Sequence, residues 1–119
     1  MSRLGSNVKL TIDKSHRDPV RALFRDALGS KVLTPTPDLE VYELEAAARV
    51  GVFYVSGGEA LPPSEQQKGA WLEFVVDDEP AAREKLSALG VARVEYSDKA
   101  HAYYQVPGGP VFRLAGRTG

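Results

Sequence analysis

The sequence predicts an α+β fold made of two βαβββ halves, and three observations carry that reading. Strand-like alternation, then an amphipathic helical stripe, then three more strand-like segments occur twice along the chain. The two copies keep a near-constant offset: Pro19 and Pro80 lie 61 positions apart, and Leu10 and Leu72 lie 62 apart. Each helical stripe opens on an acid and a proline and closes on a glycine, Gly29 or Gly90, suited to the left-handed residue that ends a helix. Neither half is large enough to bury its own sheet face. The two therefore pack together as one domain spanning residues 1–119.

The elements follow in order. Val8 to Asp13 (VKLTID) alternates Val8, Leu10 and Ile12 with Lys9, Thr11 and Asp13, the pattern of a half-buried strand. A helix follows, opened by a Ser15–Asp18 capping box or by Asp18 before Pro19, with Val20, Leu23, Phe24, Ala27 and Leu28 as its apolar stripe. Strands are expected at Lys31 to Thr34, Leu39 to Leu44 and Arg49 to Val55, with Glu45 to Ala48 too short to be a helix in water and read as a turn or strand end. Ser56 to Gly69 (SGGEALPPSEQQKG) reads as a surface linker between a first module at about 8–55 and a second at about 70–114. The second module opens with Trp71 to Asp77 (WLEFVVD), whose Leu72, Phe74 and Val76 share one face. Asp78 caps the next helix, with Ala82, Leu86 and Leu89 as its stripe. Strands at Ala92 to Tyr96, Ala102 to Val106 and Val111 to Leu114 complete it, the last two joined through Pro107-Gly108-Gly109-Pro110.

Composition narrows function. Fifteen basic residues stand against 16 acidic ones, without a basic run, so the electrostatic footprint of a nucleic-acid binder is missing. No apolar stretch approaches the ~20 residues that cross a bilayer, and Met1 to Asn7 carries no apolar run of a secretory signal. There is no cysteine, which removes disulfides, thiolate metal sites and cysteine nucleophiles together and fits a cytoplasmic protein. No serine lies in a GxSxG context, neither helix opens on a glycine-rich phosphate loop, and no catalytic set is legible.

Three local motifs lie in a fixed order within this repeat. Phe24-Arg25-Asp26-Ala27-Leu28-Gly29 ends the first helix, Trp71 to Asp78 forms the fifth strand, and Val106 to Leu114 (VPGGPVFRL) closes the last hairpin. Together they resemble the YxxxLG helix end, the HxxxxVDD strand and the DPDGNxxEL hairpin of the vicinal oxygen chelate superfamily, which includes glyoxalase I, extradiol dioxygenases and bleomycin resistance proteins. The resemblance covers roughly residues 8 to 114. It implies two βαβββ modules whose sheets curl around a cleft, and in the family's metal enzymes it implies ligands at four points on the strands. Counted back from Gly29 and matched motif by motif, those points here are Lys9, Gly51, Trp71 and Arg113. Two are cations, one has no side chain and one offers only an N–H donor, so no metal and no cofactor is expected. The two histidines, His16 and His101, read more readily as hydrogen-bonding residues than as ligands.

Strand alternation then points Lys9, Thr11, Phe53, Trp71, Glu73 and Arg113 into the cleft. Two aromatic rings, two cations and a carboxylate suit a small organic ligand that is aromatic or anionic. Tyr103 and Tyr104 are adjacent, so one faces each side of the sheet, and alternation leaves open which. The leading expectation is a metal-free binding protein of the bleomycin-resistance kind, a homodimer contacting neither nucleic acid nor membrane. Two other readings stand beside it: a lyase, isomerase or dioxygenase of the same superfamily, and an interaction domain whose cleft is closed by Lys9, Glu73 and Arg113 pairing with one another.

Overall fold

The structure is a computed structural model in which residues 1–117 are described. Strand β1 (Asn7–Asp13) leads into a 3₁₀ turn at Lys14–His16 and then helix α1 (Arg17–Arg21), which continues as a wider, π-type segment at Ala22–Ala27. Strands β2 (Lys31–Thr36), β3 (Leu39–Glu43) and β4 (Arg49–Val55) finish the first half. One short helical turn, α2 (Pro63–Gln66), interrupts the linker. The second half runs β5 (Leu72–Val76), α3 (Glu79–Ala88), β6 (Tyr103–Gln105) and β7 (Val111–Gly116).

The predicted repeat is visible in the topology. The first sheet has the order β1-β4-β3-β2 and the second β5-β7-β6, each with one parallel pair (β1 with β4, β5 with β7) beside an antiparallel one. The counterpart of β2 in the second half departs from expectation. Ala92 to Tyr96 is not a strand; it touches the sheet through a single bridge, Arg93 to Tyr104. Two backbone bonds hold it, Val94 N–H to Tyr103 O (2.9 Å) and Gln105 N–H to Ala92 O (3.0 Å). Beyond them Tyr96 stacks its ring on Tyr103 at 4.5 Å.

Helix boundaries follow local chemistry, with two corrections. Asp13, rather than Ser15 or Asp18, caps the first helical run: its carboxylate accepts from the Ser15 amide at 3.0 Å and the Ser15 hydroxyl at 2.6 Å. Asp18 and Pro19 consequently lie inside α1. In the second half Asp78 is the N-cap as expected, accepting from the Ala81 amide at 3.0 Å, with Pro80 in the first turn. Gly29 and Gly90 adopt φ of +72° and +73° at the helix ends. Leu89, expected in the buried stripe, is 43% exposed because α3 is packed only as far as Leu86.

One core serves both halves, on the helix side of the two sheets. A row of aromatic rings crosses it: Tyr42 stacks on Phe24 at 4.7 Å, Phe24 meets Phe74 edge-on at 5.7 Å, Phe74 meets Phe112, and Phe112 stacks on Tyr104. Phe24, from α1, is therefore the ring that joins the first sheet to the second. The same core buries a charge. Glu40 is fully buried on β3, where Arg21 Nε donates to its Oε2 at 2.8 Å and the hydroxyls of Tyr42 and Tyr54 donate to its Oε1 at 2.7 and 2.8 Å.

The Glu45–Ala48 connection is a two-residue hairpin turn. Ala48 N–H bonds Glu45 O, and the central residues Ala46 and Ala47 have φ of 58° and 59°. Left-handed backbone at both central positions matches the twist of the flanking strands but strains an L-residue, and Asn-Gly is the usual solution. Replacing Ala46 by Asn and Ala47 by Gly together is expected to raise stability by roughly 1–3 kcal/mol. Urea unfolding checks this, and an unmoved midpoint would show that the alanines carry no strain.

Candidate functional site

Alternation along the strands sends one set of side chains into the core and the other to the opposite, outward faces. In the first sheet, the register pairs Lys9 with Gly51 and Thr11 with Phe53. The Lys9 ammonium lies 5.1 Å from the centre of the Phe53 ring, which is 39% exposed. In the second sheet, Glu73 and Tyr103 both sit opposite Arg113, so Tyr103 is the outward tyrosine and Tyr104, opposite Phe112, belongs to the core.

Arg113 organises the second face. Its Nε donates to Glu73 Oε2 at 2.7 Å, and its Nη1 donates to Asp98 Oδ2 and the Tyr103 oxygen, both at 3.2 Å. Its guanidinium carbon lies 4.8 Å from the Trp71 ring centre. Trp71 meets Tyr103 edge-on at 6.0 Å, and Tyr103 stacks on Tyr96, giving a run of three rings beside the ion pairs. Trp71 and Tyr96 are both 41% exposed, so each ring keeps part of its surface in solvent. The hydrogen bonds that Arg113 donates to Tyr103 and Glu73 raise its pKa further, keeping it cationic at any working pH.

The six residues read from the sequence thus form two groups. Trp71, Glu73 and Arg113 are in mutual contact; Lys9, Thr11 and Phe53 cluster on the other sheet. Among the described residues no ion pair, hydrogen bond or aromatic contact joins the groups, because the halves meet through their helix-side core and leave the outward faces apart. Of the mutual pairing on which the closed-cleft alternative rests, Arg113 and Glu73 do pair, and Lys9 does not join them. Asp98 and Tyr96 belong to the site and were not among the residues picked out from the sequence. They lie in the irregular stretch after Val94, where strand alternation assigns no face.

The positions that the motif resemblance matches to the family's metal ligands hold Lys9, Gly51, Trp71 and Arg113, a donor set whose chemistry does not suit a divalent cation. Among the described residues no group of three His, Asp or Glu side chains is placed to hold a metal ion. None of the helices among these residues is long and apolar enough to cross a membrane.

No protein-family model and no curated protein matches this sequence. Solved structures do. A glyoxalase-related enzyme from Fulvimarina pelagi superposes with a TM-score of 0.71 at 14% identity, over 98% of this chain and 90% of that one. A glyoxalase family protein from Bacillus anthracis gives 0.68 at 12% identity, over 98% and 96% of the two chains. Lactoylglutathione lyase from Agrobacterium tumefaciens gives 0.65 at 16% identity, over 98% and 95%. These matches run essentially end to end: the chain shares the fold of these glyoxalase-type structures.

Proposed function

We propose that the protein is a metal-free binding protein of the glyoxalase and bleomycin-resistance type, holding a small aromatic or anionic organic molecule against its outward sheet faces. The observation that carries this reading is the half-open Trp71 ring, braced edge-on by Tyr103 and covered by the Arg113 guanidinium. A planar ligand stacks on such a surface, and an attached anion finds a cation beside it. The absence of cysteine fits a cytoplasmic setting.

The ligand must compete for that cation. Glu73 and Asp98 already hold Arg113, so an anionic group competes for the guanidinium chiefly with the more exposed Glu73. Replacing Glu73 by Gln is expected to strengthen an aromatic anion such as anilinonaphthalene sulfonate by roughly three- to tenfold, since the arginine then has one carboxylate fewer to surrender. Trp71→Ala is expected to weaken the same probe by roughly 1–3 kcal/mol. Trp71 is the sole tryptophan, so its quenching reports the site directly. A probe whose affinity follows neither substitution would overturn the reading, and so would binding that requires added zinc, nickel, iron or manganese.

Two copies of the chain supply what one lacks. Strands β1 and β5 are free edges of their sheets, and a two-fold dimer pairing β1 of one copy with β5 of the other would bring the Lys9–Phe53 group opposite the Trp71–Arg113 group. Light scattering is expected to give twice the 12.9 kDa of one chain. A monomer at tens of micromolar would count against a shared cleft.

A further inference from the structure

We propose that Asp98 and His101 form a proton-accepting dyad that hydrolyses small uncharged esters in a pocket separate from the face built around Trp71. His101 Nδ1 lies 2.6 Å from Asp98 Oδ2. The same oxygen accepts from the Tyr103 hydroxyl at 2.9 Å and from Arg113 Nη1 at 3.2 Å, while Oδ1 accepts from the Ala100 amide at 2.9 Å. Four donors keep this carboxylate ionised. The Ala100 amide first, then His101, hold its pKa down to about 2. An ionised carboxylate only accepts, so the proton of the neutral imidazole sits on Nδ1 and the lone pair on Nε2. The ring is thereby fixed in one tautomer and one orientation, as a general base requires.

Nε2 makes no hydrogen bond among the described residues, and His101 lines an open pocket of about 550 Å³. The pocket lies where the carboxyl ends of β5 and β7 diverge from the first turn of α3, between Asp77, Gly116 and the Asp78-Glu79-Pro80 segment. Its rim carries three carboxylates, Asp77, Asp78 and Glu79, against one cation, Arg117. That balance repels anionic substrates and favours the imidazolium that forms as the base takes a proton. The substrate class is therefore an uncharged ester.

In the step, Nε2 removes a proton from water as the water oxygen bonds to the ester carbonyl carbon, and the carbonyl π pair moves onto oxygen. Collapse of the tetrahedral intermediate breaks the carbon–oxygen ester bond. The leaving oxygen takes the proton back from Nε2, giving one carboxylic acid and one alcohol for each ester and water consumed.

The test is p-nitrophenyl acetate hydrolysis by the intact protein. The chain has only two histidines, so the comparison is simple. The expected rate constant exceeds that of free imidazole by about 100-fold, the lower end of what a positioned base supplies. His101→Gln is expected to reduce it to background, and His16→Gln to leave it unchanged. Asp98→Asn is expected to lower the rate at least tenfold, roughly, by releasing the tautomer. Because that variant also loses contacts to Arg113 and Tyr103, ¹⁵N spectra of the unaltered protein give an independent reading, with Nδ1 protonated at neutral pH. A rate no better than imidazole, full activity in His101→Gln, or the proton found on Nε2 would each overturn the proposal.

Discussion

Arg21→Met is expected to destabilise the protein by about 3–5 kcal/mol at neutral pH, because it leaves the Glu40 carboxylate buried without a cation. The dependence on pH makes this more than a generic loss. Burial by itself would raise the Glu40 pKa, but the hydrogen bonds from Arg21, Tyr42 and Tyr54 outweigh it and hold the value below the usual carboxylate range. A depressed folded-state pKa adds stability that is complete above the unfolded value of about 4.3 and is lost as pH falls through the folded value. Without Arg21, burial dominates and the folded-state pKa moves above the unfolded one. Glu40 then opposes folding at neutral pH, and the penalty shrinks as the solution is acidified toward that unfolded value. Urea unfolding of both proteins at pH 7 and near pH 4.5 should show the gap between them narrowing at the lower pH. A gap independent of pH would mean that Glu40 is not ionised in the fold. The same burial pushes Tyr42 up to about 12 and Tyr54 higher still, so neither hydroxyl titrates in this range.

Phe24→Ala is expected to cost a similar amount, about 3–5 kcal/mol, as a large-to-small change at a fully buried ring. Its position makes the manner of unfolding informative as well. Phe24 touches Tyr42 of the first sheet and Phe74 of the second, so its loss opens a gap between halves rather than within one. Chemical unfolding monitored by circular dichroism should give one transition at a lower midpoint. A loss under about 1.5 kcal/mol would show that the halves are joined elsewhere or that the gap collapses.

The repeat was legible in the sequence because its punctuation is chemical. Asp78, Pro80, Gly29 and Gly90 occupy the cap and left-handed positions that their side chains suit. Alternation placed Lys9, Thr11, Phe53, Trp71, Glu73 and Arg113 on the outward faces, but it is a property of each strand and says nothing of which strands of a chain face one another. It also misleads on β3. Alternation alone would as readily bury Leu39 and Val41, whereas the fold buries Glu40 and Tyr42, since Arg21, 19 residues away, and Tyr54, 14 residues away, satisfy the carboxylate. Asp98 was invisible for a different reason. It works through one carboxylate oxygen shared by three side-chain donors, from His101, Tyr103 and Arg113, and no strand period or spacing motif marks such a convergence.

The outward set of side chains on β5 and β7 makes almost no contribution to the aromatic row on the other side of the same strands. Glu73 and Arg113 can therefore be exchanged for other residues while Leu72, Phe74, Phe112 and Leu114 hold the sheet in place. The ligand preference proposed for this face can therefore be redirected by single substitutions among its outward side chains. Such a step leaves the aromatic row on the opposite side in place, so the outward face can change without the core being repacked.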